Sequence, residues 1–186
     1  LKNLTEMKQI YLSDNQITEI KGLDNLKNLE NLLLDGNKIK TIGGLDTLHN
    51  LKTLYLSGNK IKTIGGLDTL HNLKTLYLSN NQIIVITGLD ALTTLEELYL
   101  SRNQITEIRG LGALTNLHEL TLRYNDIVEP KNWEKMSAQE LVKYCQEQKS
   151  WNPDTIITKI RQNIRLTEKD RIRWKIGQNL DYILRG

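Results

Sequence analysis

The residues of this chain best suited to chemistry are three histidines, one cysteine and two pairs of adjacent glycines. Neither glycine pair, Gly43-Gly44 nor Gly65-Gly66, has a lysine placed to hold a phosphate. The chain also has none of the motifs of P-loop nucleotidases, zinc metalloproteases or serine hydrolases. His118 stands beside Glu119, but a triad also needs a nucleophile. We therefore predict a protein that is not an enzyme and holds no metal or other cofactor.

The other histidines and the cysteine have simpler explanations. His49 and His71 occupy equivalent positions in two nearly identical segments, so duplication accounts for both. Cys145 falls on the inward stripe of a predicted helix, which favours an inert core thiol over a nucleophile.

A second set of residues could bind a partner rather than react. They occupy the middle of a recurring leucine-x-leucine triplet, and we call them the tyrosine column: Tyr11, Leu33, Tyr55, Tyr77, Tyr99 and Thr121. In a strand the flanking leucines face one side and the middle residue faces the other. Because tyrosine is enriched at binding interfaces, we predict a protein-binding stripe with Tyr55, Tyr77 and Tyr99 as anchors. The alternative is that tyrosine merely suits strands and was copied by duplication.

The charges beside this column are mixed. The positive residues are Lys8, Lys52, Lys74, Arg102 and Arg123, and the negative residues are Asp14, Glu30, Asp35, Glu96, Glu97 and Glu119. Such a mixture does not make a phosphate-binding groove, so we expect a protein partner rather than nucleic acid or a small molecule. Glu97, Glu119 and a slightly basic, aromatic corner of Arg102, Arg123 and Tyr124 complete the predicted site.

A 22-residue repeat must position these residues. Its most regular column is an asparagine: Asn15, Asn37, Asn59, Asn81, Asn103 and Asn125. Segments 38–59 and 60–81 differ only at Gly58 and Asn80. One unit cannot bury its own apolar face, so successive units must stack. We expect a strand at each triplet, from Ile10–Leu12 to Leu120–Leu122. We also expect each buried asparagine to bond backbone groups at a turn.

The unit L-x-x-L-x-x-L-x-L-x-x-N-x-I-x-x-I-x-x-L-x-x resembles the leucine-rich repeat. Its length is similar to the short class found in the regulatory subunit of protein phosphatase 1 and in bacterial internalins. The resemblance implies a right-handed α/β solenoid with a parallel sheet on its concave side and short helical turns on its convex side. It also implies that the partner could be an enzyme that the repeats regulate.

The pattern decays after residue 130, where we place a domain boundary between a solenoid, 1–130, and a helical extension, 131–186. Ser137 and Glu140 form a capping box that predicts a helix over about 138–149, with Leu141, Val142 and Cys145 inward. We expect this helix to cap the last repeat. Two further helices are predicted in 150–186.

The extension supports a rival hypothesis. Residues 1–130 carry a net charge of −2, whereas 131–186 carry +5. Seven cations lie within 17 residues: Lys159, Arg161, Arg165, Lys169, Arg171, Arg173 and Lys175. Such a patch could bind nucleic acid or an anionic membrane, although a solvated helical face is the simpler interpretation.

Composition limits the remaining possibilities. The 186 residues are 39% apolar and 25% charged, as in a soluble folded protein. No membrane-spanning stretch or signal-like segment is present, which favours the cytoplasm. Leu1 aligns with a repeat column without an initiator methionine. We therefore expect a fragment, from which an N-terminal signal or an enzymatic neighbour could have been lost.

Overall fold

Six short strands follow the six leucine triplets. The computed structural model describes residues 5–149, and its strands are β1 (Gln9–Tyr11), β2 (Asn31–Leu33), β3 (Thr53–Tyr55), β4 (Thr75–Tyr77), β5 (Glu97–Tyr99) and β6 (Glu119–Thr121). They form one parallel sheet in sequence order, in which residues 22 positions apart pair. Each strand begins and ends one residue before the predicted triplet. The chain turns at the second leucine, although the Leu12 N–H still donates to Leu33 O at 2.8 Å.

Stacked leucine and isoleucine columns form one continuous core. The central leucine of each inner strand is fully buried, and so are the leucines that precede the strands. After its strand the chain returns through two successive turns, as where Leu26 N–H donates to Leu23 O and Leu29 N–H donates to Leu26 O. The predicted leucine-rich solenoid, with its sheet on the concave side, is confirmed.

The asparagine column joins neighbouring repeats as predicted. The Asn59 amide nitrogen donates to Leu34 O at 2.9 Å and to Leu56 O at 3.1 Å, while its oxygen accepts from Ile39 N–H at 3.0 Å. One buried side chain therefore satisfies backbone groups of two repeats, which would otherwise lie unpaired in the core. The same bonds recur at Asn81.

A second polar column was missed by the sequence analysis. The amides of Asn28, Asn50, Asn72 and Asn116 each donate to a carbonyl of the preceding repeat at 2.8–3.0 Å. Thr94 replaces asparagine in this column and bonds His71 O. Gln139 extends it into the helix by donating to Thr115 O and Leu117 O. The 22-residue spacing of these asparagines was the available signal.

A C-terminal helix closes the described part of the core. Helix α1 (Ala138–Lys149) follows a short 3-10 helix at Trp133–Lys135. The predicted capping box is present, because Ser137 N–H donates to the Glu140 carboxylate at 2.7 Å and Glu140 N–H donates to Ser137 Oγ at 3.3 Å. Leu141, Val142 and Cys145 are buried in the same core cluster as the repeats. This helix is the predicted cap.

The chain consists of two compact units, which span Leu1–Gln146 and Glu147–Gly186. The first contains all the strands and most of α1. The two helices predicted in 150–186 and the basic patch from Lys159 to Lys175 lie outside the described residues, and the domain boundary at residue 130 stays a prediction.

Candidate functional site

Three tyrosines stack on the concave face of the sheet. Tyr55, Tyr77 and Tyr99 occupy paired positions on β3, β4 and β5, so their rings project side by side. The ring centroids are 4.6 Å apart for the first pair and 4.5 Å apart for the second, and both interplanar angles are 5°. We call these residues the tyrosine stack. The strand spacing of about 4.8 Å sets this close approach.

The stack is less exposed than the predicted stripe. Each of its rings covers a face of its neighbour, so all three side chains are half-buried. Leu33 separates Tyr11 from the stack, and Tyr11 is 71% exposed. The face therefore presents the edges and hydroxyls of a preformed stack rather than six independent side chains.

A carboxylate fixes one end of the stack. The Tyr99 hydroxyl donates to Glu97 Oε2 at 3.1 Å. Burial, this hydrogen bond and the negative charge of Glu97 raise the pKa of Tyr99 to about 12. Burial first, and then the charges of neighbouring groups, also raise the pKa of Tyr77. Both hydroxyls are therefore neutral hydrogen-bond donors at physiological pH.

Alternating charges line the face where the strands begin. The Glu30 carboxylate lies 3.2 Å from Lys8 Nζ and 2.6 Å from Lys52 Nζ, and Lys74 Nζ lies 2.8 Å from Glu96. Hydrogen bonds from the lysines lower the pKa of Glu30 and of Glu96. Because these lysines are paired with carboxylates, their positive charges are largely neutralised at this margin.

Along the opposite margin, where the strands end, the charge changes from negative beside β1 to positive beside β6. Beside β1 and β2 the margin carries Asp14 and Asp35. Burial, opposed by a hydrogen bond from Ser57 N–H, raises the pKa of Asp35. Beside β5 and β6 it carries Arg102, Arg123 and Tyr124, all exposed, which we call the arginine corner. The Arg102 guanidinium carbon lies 5.0 Å from the centre of the Tyr124 ring, a cation–π contact.

A column of left-handed backbone runs through this margin. It comprises Asp14, Gly36, Gly58, Asn80, Arg102 and Tyr124, with φ between 54° and 68°. Glycine, asparagine and aspartate tolerate this conformation, whereas arginine and tyrosine rarely adopt it. The sequence analysis placed Arg102 and Tyr124 at the site but missed their strain. The signal was their alignment with Gly36 and Gly58.

The other residues singled out from the sequence lie either on the strands or in the core. Glu97 and Glu119 are paired residues of β5 and β6, and Thr121 continues the tyrosine column beside Tyr99. Cys145 is 2% exposed, with its Sγ 3.6 Å from Ile108 O, which agrees with a core thiol. Val128, which the sequence analysis did not select, is 67% exposed.

Residues 5–149 offer neither a metal site nor a membrane-spanning helix. Within that range, no group of three or more histidine, cysteine or acidic side chains is arranged to hold a metal ion. None of the helices in the described part of the chain has the length and apolarity needed to cross a membrane.

Comparison with known proteins identifies the repeat. The family model for leucine-rich repeats in two copies matches residues 5–47, 49–93 and 93–132. The chain belongs to the leucine-rich repeat family. Leucine-rich repeats are typically non-enzymatic modules that mediate protein–protein interaction.

Solved structures agree with this assignment. A leucine-rich repeat protein of Leptospira interrogans is 34% identical with a TM-score of 0.66, over 76% of this chain and 37% of that one. Internalin C2 of Listeria monocytogenes is 33% identical with a TM-score of 0.56, over 68% of this chain and 66% of that one. The chain thus spans just over a third of the Leptospira protein. A search of curated proteins gave no significant match.

Proposed function

We propose that the concave face of the repeats binds another protein, with Tyr55, Tyr77 and Tyr99 as the central anchors. The observation that carries the proposal is the tyrosine stack, three parallel rings held at the middle of the face. Rings already fixed by stacking lose little conformational freedom when a partner covers them, which lowers the cost of association. Their hydroxyls add polar contacts to a large apolar area.

The charges around the stack favour a protein over a polyanion. Paired lysines and glutamates occupy one margin, and aspartates and arginines occupy opposite ends of the other. A partner with charges of both signs can match this arrangement, whereas a nucleic acid would face carboxylates at Glu97 and Glu119. Regulation of a partner enzyme is a narrower proposal that rests on the likeness of the repeat to phosphatase-subunit repeats.

A pull-down from a lysate of the source organism tests the proposal. The full chain is compared with a Tyr55→Ala, Tyr77→Ala, Tyr99→Ala variant that circular dichroism shows to be folded. A control replaces three exposed residues away from the concave face: Lys40→Ala, Lys62→Ala, Thr106→Ala. We expect a protein retained by the parent and the control and lost by the tyrosine variant.

Equal recovery by all three proteins would contradict the proposal and assign the stack to stability alone. A ligand recovered equally by all three and released between about 50 and 200 mM salt would instead support the rival function of the basic patch, since counterion release makes such binding steeply salt-dependent.

A further inference from the structure

The arginine corner places bulky side chains where the backbone disfavours them. Arg102 has φ of 57° and Tyr124 has φ of 59°, at the repeat position that Gly36 and Gly58 occupy elsewhere. The two strained positions are consecutive in the column, and Arg102 N–H donates to Arg123 O at 2.8 Å. A sequence selected for stability alone would have glycine or asparagine there.

The contacts inside the corner do not account for this strain. The cation–π contact between Arg102 and Tyr124 is worth little at an exposed site, and Tyr124 remains 73% exposed. Strained residues of this kind concentrate at binding and catalytic sites. The side chains of the corner project into solvent, where they are accessible to a partner.

Within the described residues, 5–149, the corner also holds two cations that form no ion pair with a carboxylate. Across residues 5–149, the ion pairs on the concave face involve Lys8, Lys52 and Lys74, and neither Arg102 nor Arg123 belongs to one. The lysines of the opposite margin are therefore already neutralised, whereas the arginines are available. Arginine suits this task because its planar guanidinium pairs with a carboxylate through two hydrogen bonds.

The same margin carries the opposite charge at its other end. Asp14 and Asp35 lie beside β1 and β2, and small residues such as Ser57 and Gly58 separate them from the corner. An acidic segment is attracted to one end of the margin and repelled by the other, so it binds at the arginine corner and not along the whole margin. Glu97 and Glu119 on β5 and β6 disfavour a nucleic acid, which carries a charge at every nucleotide.

We propose that the arginine corner receives an acidic segment of the protein partner, with carboxylates on Arg102 and Arg123 and an apolar side chain against Tyr124. This inference rests on the proposed function and specifies which chemistry of partner the face selects. The arginines supply charge recognition at the end of the face, and the tyrosine stack supplies contact area at its centre.

Fluorescence anisotropy with a defined probe tests the inference on the full chain. The probe is a labelled 12-residue peptide with four glutamates and two leucines among glycines and serines. A peptide with lysine in place of glutamate and a 12-nucleotide single-stranded DNA serve as competitors. The variant Arg102→Asn, Arg123→Ser, Tyr124→Asn gives the corner residue types found in the central repeats. The control Ser79→Ala, Asn80→Gly alters the same columns one repeat away.

We expect the glutamate peptide to bind the parent and the control equally and the corner variant at least tenfold more weakly. The corner variant should also unfold at a higher temperature than the parent, because the strain is relieved. Weaker binding by a more stable protein cannot result from misfolding.

Three results would overturn the inference: no measurable binding of the glutamate peptide to the parent, equal binding to the corner variant, or DNA that binds the parent as tightly as the peptide does and binds the corner variant more weakly. The last would assign the corner to phosphate recognition. The pull-down separates these failures from that of the proposed function. A partner lost by the tyrosine variant but retained by the corner variant leaves the proposed function standing and removes only the acidic-segment inference.

Discussion

The central and the last repeats share one fold and differ in what they place on its surface. The third and fourth repeats of the asparagine column are almost identical in sequence and carry serine, glycine and asparagine where the strands end. The fifth and sixth carry Arg102, Arg123 and Tyr124 at the same positions, and Arg102 and Tyr124 keep the left-handed φ. The central repeats therefore satisfy local backbone preferences, whereas the last repeats override them.

This difference shows which columns serve the fold and which are free to serve binding. Buried columns keep their residue types from one repeat to the next, because every repeat must present the same surface to its neighbours. Exposed columns carry no such requirement, so a strained arginine there indicates a task other than folding. Three predictions test this contrast.

The largest effect is expected at the buried asparagines of the central repeats. Asn59→Ala removes four hydrogen bonds and leaves backbone groups of two repeats unpaired in the core. The free energy of unfolding should fall by about 3 kcal/mol, as for other buried polar groups that lose their partners. Asn15→Ala is the matched change at an exposed asparagine, and its cost should be well under half as large. Urea denaturation of both variants measures the difference, and equal costs would contradict the role of the buried column.

Exchanging residue types between the central and the last repeats should change the free energy of unfolding by an intermediate amount. The exchange should stabilise the chain when it is made in the last repeats and destabilise it when it is made in the central repeats. Arg102→Asn should stabilise the chain by about 1 kcal/mol, because asparagine tolerates the left-handed backbone better. Gly58→Arg should destabilise it by about 1–2 kcal/mol, and its Cβ would also meet Gly36 N at 3.3 Å. Thermal unfolding followed by circular dichroism gives both signs. If neither variant shifts the midpoint, the strain at the corner carries no cost and the contrast fails.

The smallest effect concerns the ionisation of the tyrosine stack. The pKa of Tyr99 is about 12, above its ordinary value of 10.0, so folding favours the protonated phenol. This contribution to stability is complete below pH 10 and is lost as the pH rises toward 12. Glu97→Gln removes the negative charge that helps to raise the pKa and leaves only a neutral amide oxygen as acceptor, so absorbance titration should show Tyr99 ionising at lower pH. Glu129→Gln is the control. An unchanged titration in Glu97→Gln would show that the charge of Glu97 does not contribute to the raised pKa of Tyr99.

Most of the fold was predictable, because it depends on side chains that repeat. The leucine triplets predicted six strands to within one residue, the resemblance to the leucine-rich repeat implied that the strands are parallel, and Ser137 and Glu140 predicted the start of α1. The second asparagine column was not predicted although Asn28, Asn50 and Asn72 have the same spacing, because Thr94 interrupts the column while the column from Asn15 to Asn125 is unbroken.

The sequence predicted which residues form the candidate site, but it did not predict the stacking of the tyrosine rings or the backbone strain at the arginine corner. The alternation of strand residues placed Tyr55, Tyr77 and Tyr99 on one face, but it could not indicate that the rings would cover one another. The strain at Arg102 and Tyr124 was hidden for a different reason. Alignment with Gly36 and Gly58 pointed to a left-handed position, but aspartate, asparagine, arginine and tyrosine also occupy it, so the backbone angles were needed to show that it is left-handed in every repeat.

The most direct test of the central claim, that the concave face binds a protein, is oxidative footprinting of the captured complex compared with the free chain. We predict that Tyr77 and Tyr99 become protected when the partner binds, while His49 and His71, outside the face, react equally in both states. Protection confined to residues 159–175 or to the histidines, with the tyrosine stack as reactive as in the free chain, would contradict the claim.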